Sequence, residues 1–208
     1  MGRPKEHDEH TAEALLASAE RIIERDGADG LSVRGVADDV GTTTRAVYAL
    51  FGSKSGLLRA VARRAFERMD TRLGRLRLTD DPAGDLVEAG VRVFRRFARE
   101  QPALYRLAVQ RLGDDIDVRS GSRVAAGAAL LHLDELVARL PGAPTTRTGS
   151  GVSSMTLEFH AMCEGLAALE LRGMLPRGRE ERIWRDGLSA LARGLAVTCT
   201  IENPTMCS

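Results

Sequence analysis

A chain of 208 residues with 43% hydrophobic content has enough apolar side chains for a core, which excludes wholesale disorder. Its net charge of +1 excludes nucleic-acid recognition by bulk charge, and residues 1–64 carry as many basic as acidic side chains, so a basic patch requires segregation onto one face. No stretch approaches the ~20 apolar residues of a membrane span, and the polar start MGRPKEHDEH lacks the apolar core of a signal peptide, so a cytoplasmic protein is expected. Cys163, Cys199 and Cys207 form neither a Cys-x-x-Cys pair nor an even disulfide framework, in keeping with a reducing compartment.

Apolar residues recur at helical spacing throughout, and no run alternates as a strand would, so an all-α fold is expected. Thr11 is a suitable N-cap for a first helix with Leu15, Ala19 and Ile22 on one face, and the glycines of Asp26 to Gly30 end it. Ser32 caps a short second helix carrying Val33, Val36 and Ala37, which Gly41 terminates. Thr43 caps a third, running to Leu50, and Ser53 caps a fourth that begins at Lys54. The fourth carries Leu58, Ala62, Ala65, Met69 and Leu73. Asp81-Pro82 opens a fifth with Leu86, Gly90, Val93 and Phe97, because proline is pre-organised for the first helical position. Pro102 starts another, and the polar stretch from Arg111 to Gly121 reads as a loop. Ala126, Leu130, Leu133, Val137 and Leu140 mark the next helix, followed by a flexible connection from Pro141 to Gly151. Two long helices close the chain, with seams Met155, Phe159, Met162, Leu166, Leu169 and Trp184, Leu188, Leu191, Leu195.

The second and third helices, joined by a glycine-containing turn, form a helix-turn-helix arrangement. In such units the second helix of the pair enters the major groove, with its N-terminal residues at the base edges. Here those residues are Thr43, Thr44 and Arg45. Arginine can bond guanine bidentately, and threonine can offer a hydroxyl or pack its methyl against thymine. Val47 and Phe51 face inward, Tyr48 can reach a phosphate, and Lys54 stands at a helix N-terminus that favours an anion. Ser32 and Arg34, at the start of the preceding helix, complete the expected double-stranded DNA contacts. Gly2-Arg3-Pro4-Lys5 reads as an extended basic arm, with Arg3 and Lys5 in a minor groove, or as an ordinary disordered terminus.

The run LSVRGVADDVGTTTRAVYALFGSKSGLL, Leu31 to Leu58, resembles the DNA-binding region of the TetR family of bacterial transcriptional regulators. Gly41 before a capped recognition helix, Tyr48 and Phe51 three apart, and Ser53-Lys54 opening the next helix match the family pattern. Arg45 departs from the Gly or Ala common there, and Ala49 and Leu50 from the polar residues common there, which implies a base preference of this chain's own. The resemblance implies a helix-turn-helix DNA-binding domain over residues 1–53, including the basic arm. A larger helical regulatory and dimerisation domain over 54–208 follows. Within it, residues 101–108 and 163–175 resemble a subtype named for a Trp–His–Gly pattern; Gly165 is present, but Glu164 stands at the His position and His160 at the Trp position. Ligand contacts are therefore not carried over.

In this second part Phe94, Phe97, Tyr105, Phe159, Met162 and Trp184 read either as an ordinary core or as the walls of a pocket. On the pocket reading, His160 and Glu164 are its polar groups, and the ligand is a small apolar or amphipathic molecule. Leu166, Leu169, Leu188, Leu191 and Leu195, beside small residues, suit a homodimer built by the last two helices. His7 to His10 is a solvated tail rather than a metal site, and no catalytic motif appears, so neither an enzyme nor a bound cofactor is expected. The expected function is a ligand-responsive repressor that binds a pseudo-palindromic operator as a dimer and is released by a small molecule. The alternative is an architectural or division-related DNA-binding protein on the same scaffold, without an effector.

Overall fold

The computed structural model describes residues 3–111, 121–143, 148 and 151–202, with side chains at 8–109, 127–143, 148 and 151–194. Among these residues every regular element is helical, as expected. The helices are α1 (Arg3–Gly30), α2 (Val33–Val40), α3 (Thr44–Phe51), α4 (Lys54–Gly74), α5 (Pro82–Ala89), α6 (Arg96–Glu100), α7 (Pro102–Tyr105), α8 (Gly121–Val137), α9 (Ser154–Leu171) and α10 (Glu180–Glu202). A π-helical segment, Gly90–Arg95, joins α5 to α6, and a second, Arg106–Arg111, continues α7.

By packing, the chain forms two compact units: Met1–Glu67 with Gln101–Ala126, and Arg68–Glu100 with Gly127–Ser208. The sequence division after residue 53 follows the end of the helix-turn-helix motif, whereas packing assigns residues 54–67 and 101–126 to the first unit as well. Helix α1 begins earlier than Thr11, at Arg3, so the backbone from Arg3 to Lys5 is helical rather than extended. Pro4 fits the first turn of a helix. The side chains of Arg3 and Lys5 lie outside the described residues, as do most of the loop from Arg111 to Gly121 and much of the 141–151 connection. Near its end α1 breaks at Gly27 (φ 77°, ψ 169°), inside the run expected to stop it.

In the first unit, Leu15, Ala19 and Ile23 of α1, Val36 and Ala37 of α2, Val47 of α3, and Leu57 and Val61 of α4 are almost inaccessible. Helices as short as α2 and α3 do not hold alone in water, so this burial stabilises them. Ser18 and Arg21 of α1 both donate to Asp39, tying α1 to the end of α2 (2.6 and 2.7 Å). Arg64 of α4 pairs with Glu13 (2.6 Å) and Glu20 (3.2 Å) of α1. Helix α7 has no side-chain cap of its own. Glu24 of α1 supplies one, accepting from the backbone amides of Leu104 (2.7 Å) and Ala103 (3.4 Å).

The second unit packs α5 and the π segment against α9 and α10, around the fully buried Phe97, Phe159, Trp184 and Leu188. A Cβ at Gly90 would collide with Leu188 and touch Cys163 and Phe159, so glycine is what permits the close approach. Asp81 caps α5 by accepting from Gly84 N (3.0 Å), with Pro82 at the first helical position. Asp134 of α8 lies at the start of α9, accepting from the Ser153 amide (2.8 Å) and the Thr156 hydroxyl (2.6 Å). Its charge suits the positive end of that helix.

Candidate nucleic-acid interface and regulatory core

Three caps and two glycines of positive φ shape the helix-turn-helix segment. The Ser32 hydroxyl accepts from Gly35 N (3.0 Å), that of Thr43 from Ala46 N (3.2 Å), and that of Ser53 from Gly56 N (2.9 Å). Gly41 (φ 72°) ends α2 and Gly52 (φ 74°) ends α3, conformations that L side chains resist. These bonds fix where α3 starts. Val47 then turns inward at 1% exposure, and Thr44, Arg45 and Tyr48 turn outward, Tyr48 at 51%. Phe51, expected inside, is half-buried.

The outward face is chemically uncommitted. Among the described residues, Arg45 and Lys54 make no ion pair, and both are exposed. Ser32 and Thr43 use their oxygen lone pairs for capping, which leaves each hydroxyl proton free to donate. Arg34 is exposed beside Asp38 at 3.7 Å. The other nearby acid, Asp39, has its pKa held below the usual carboxylate range by the Ser18 hydroxyl and then by Arg21. Both acids at the end of α2 therefore face a partner, which lowers their repulsion of a phosphate backbone.

The regulatory candidates divide. Phe94, Phe97, Phe159 and Trp184 are buried in the second unit, and Met162 is half-buried there. Tyr105, also buried, belongs to the first unit, so the expected set of eight does not fall within one packing unit. His160 lies edge-on to Phe94 (5.7 Å between ring centres) and pairs through Nε2 with Glu164 at 2.8 Å. Burial, and next the Glu164 charge, push the Cys163 thiol pKa strongly upward, so its thiol stays protonated and inert. Of the leucines expected at a dimer face, Leu188 is fully buried within its own chain and Leu166 nearly so; Leu169 and Leu191 are half-buried, and the Leu195 side chain lies outside the described residues. The helical seam was legible, but what covers Leu188 is the Gly90 approach from its own chain.

One group of residues had no place in the sequence reading. Arg95, 7% exposed, donates through Nε and Nη2 to both oxygens of Glu170 (3.1 Å each) and through Nη1 to Glu181 (3.0 Å). The Trp184 indole N–H donates to the same Glu170 (2.8 Å). Only the arginine-rich string FRRFARE hinted at it. Among the described residues no helix is long and apolar enough to cross a membrane.

The family model for bacterial regulatory proteins of the tetR family matches residues 15–61, and that for the tetracyclin repressor-like C-terminal domain matches 87–191, half of the chain. The chain belongs to the TetR family. It is thus a helix-turn-helix transcriptional regulator with a DNA-binding domain, from a family of regulators rather than enzymes. An uncharacterized HTH-type transcriptional regulator of Mycobacterium tuberculosis is 27% identical to this TetR-family chain over 189 residues, covering 88% of the chain and 80% of the relative. A protein of unknown function from Rhodococcus sp. RHA1 has a similar structure, with a TM-score of 0.74 and 26% identity over 89% of this chain and 95% of that one. The multidrug binding protein EbrR, solved with imidazole, shares the fold at a TM-score of 0.64 and 21% identity, over 91% and 94% of the two chains. A TetR variant from Acinetobacter baumannii, solved with minocycline, does so at 0.61 and 18% identity, over 88% and 95%.

Proposed function

We propose that this regulator binds a pseudo-palindromic operator as a homodimer, represses transcription in the cytoplasm, and is released by a small molecule. The observation that carries the reading is the unpaired, outward row of Thr44, Arg45 and Tyr48 on α3, with Lys54 at the next helix start. Arg45 reads a base edge; Thr43 and Thr44 add hydroxyl contacts; Tyr48, Lys54, Ser32 and Arg34 hold phosphates. Residues 1–53 act as the reading domain and 54–208 as the regulatory one.

The dimer uses α9 and α10, where Ala161, Gly165, Ala190 and Gly194 are exposed and allow close helix approach, flanked by Leu169 and Leu191. The effector site adjoins Phe94 and His160. The His160 Nδ1 atom is buried with no hydrogen-bond partner, and such an atom is costly to leave unmatched unless a ligand group meets it. The imidazole and minocycline complexes of fold relatives support a small-molecule effector of some kind. An effector that prefers a dimer with mis-spaced recognition helices weakens binding, because half-sites lie ~34–36 Å apart per helical turn.

The test is selection of bound duplexes from a random library by the purified chain at near-physiological salt. A pseudo-palindrome is expected, and Arg45→Ala is expected to relax discrimination at one position per half-site by about 1–3 kcal/mol. An unchanged base preference in that variant removes Arg45 from the reading set.

A further inference from the structure

The second unit contains a cleft that neither the DNA-reading face nor the aromatic core uses. We infer that this cleft, between the Gly90–Arg95 segment with α6 on one side and α10 on the other, binds a compact polyanion: a small molecule bearing two or more carboxylate or phosphate groups. The cleft measures about 600 Å³, a small-molecule size, and five arginines line it (92, 95, 96, 99 and 185) against two glutamates, Glu100 and Glu181. Val91 is the sole apolar residue in that lining, so the walls offer charge rather than hydrophobic contact.

The arginines are not equivalent. Arg95 is the fixed floor, its guanidinium held by Glu170 and Glu181. Arg185 is likewise engaged, by Glu88 (2.6 Å) and Glu181 (3.2 Å). The other three stand on the rim with side chains 68%, 65% and 58% exposed: Arg92, Arg96 and Arg99. Each approaches a glutamate through Nε: Glu88, Glu100 and Glu170 respectively. Among the described residues their terminal nitrogens make no hydrogen bond. These outward nitrogens, at successive helical spacings, are donors that an added anion can share while each Nε keeps its glutamate. Their planar forks match the paired oxygens of carboxylate or phosphate.

The same geometry limits the ligand. A smaller cleft shares Arg95 and Arg99 and is otherwise lined by Glu170, Leu171 and Glu180, and Glu100 and Glu181 border the larger one. A continuous phosphate backbone would run into these acids, whereas a compact polyanion stays among the arginines. The π segment that shapes this wall is a rare geometry, found often at functional sites.

The full-length chain is titrated calorimetrically with citrate and, separately, pyrophosphate, at an ionic strength held constant with sodium chloride. Saturable binding of one probe per chain is expected, and the tighter of the two distinguishes carboxylate from phosphate chemistry. The R96Q/R99Q variant is expected to bind about tenfold or more weakly, from the loss of charge-assisted hydrogen bonds. Arg182→Gln, an exposed arginine of α10 outside the lining, is expected to bind as the parent does. Trp184 fluorescence verifies that each variant is folded. The inference is overturned if neither probe saturates, if R96Q/R99Q binds undiminished, or if R182Q loses as much.

Discussion

The two compact units handle polar groups in opposite ways. Among the described residues the first unit buries one polar side chain, Ser18, whereas the second buries Asp85, Arg95, Asp134, Ser153 and Thr156. The first is held by apolar packing, helix caps and ion pairs nearer the surface, and Arg45 and Lys54 of its outward face make no ion pair among the described residues. In the second, satisfied polar pairs inside the helix packing specify one arrangement. A face that must meet a phosphate backbone needs uncommitted donors. An interior that must keep helices in register gains from groups that are costly to leave unpaired.

The sharpest way to break this contrast is Glu170→Ala. It strips both Glu170 hydrogen bonds from buried Arg95 and one from the Trp184 indole, leaving a buried cation with only the more exposed Glu181. A loss of about 3–5 kcal/mol is expected, the usual cost of removing one partner of a buried pair. Urea unfolding followed by fluorescence measures it, since Trp184 is the chain's single tryptophan and reports on the second unit. A loss below about 1 kcal/mol would mean that water reaches Arg95 freely.

Next in size is Asp134→Ala. It leaves the Ser153 amide and the Thr156 hydroxyl, both buried, without their acceptor. The expected cost is about 1–3 kcal/mol, read by the same Trp184 signal. A neutral result would show that the start of α9 is held by the Ser153 cap alone.

The Asp85 carboxyl gives a pH-dependent version of the contrast. Burial alone would raise its pKa, but hydrogen bonds from the Thr79 amide, Arg139 and the Thr79 hydroxyl outweigh that and lower it. A depressed folded-state pKa means that ionised Asp85 stabilises the fold at neutral pH. That contribution persists until pH nears the ordinary carboxylate value of about 4, then fades as pH falls through the folded value. The stability gap between the parent and Asp85→Asn is therefore expected to stay level near neutrality and narrow in acid. A gap that does not change with pH would place its origin in packing rather than charge.

What was legible in the sequence follows the range of the forces. Ser32, Thr43 and Ser53 each cap an amide three residues on, and Gly41 and Gly52 act on their own backbones, so the reading segment was visible residue by residue. Arg95 meets Glu170 at a separation of 75 residues, and Glu24 reaches Leu104 across 80, and no local pattern encodes either choice. The α10 seam was visible as a stripe, but a stripe does not say whether Leu188 meets its own chain or another. The start of α1 was missed because Thr11 is a good cap that lies inside a longer helix.

The smallest expected effect on stability is the most discriminating. Arg45 is exposed and makes no ion pair among the described residues, so Arg45→Ala is expected to change unfolding by no more than about 0.5 kcal/mol. The same substitution is expected to alter base preference. If the first unit were held by surface charge as the second is held by buried charge, Arg45→Ala would lower stability and DNA affinity together, uniformly across sequences. Unchanged unfolding with relaxed discrimination at one base position separates the two cases. The helix would then be fixed by Val47 and the Thr43 cap, and Arg45 would be free to serve the partner alone.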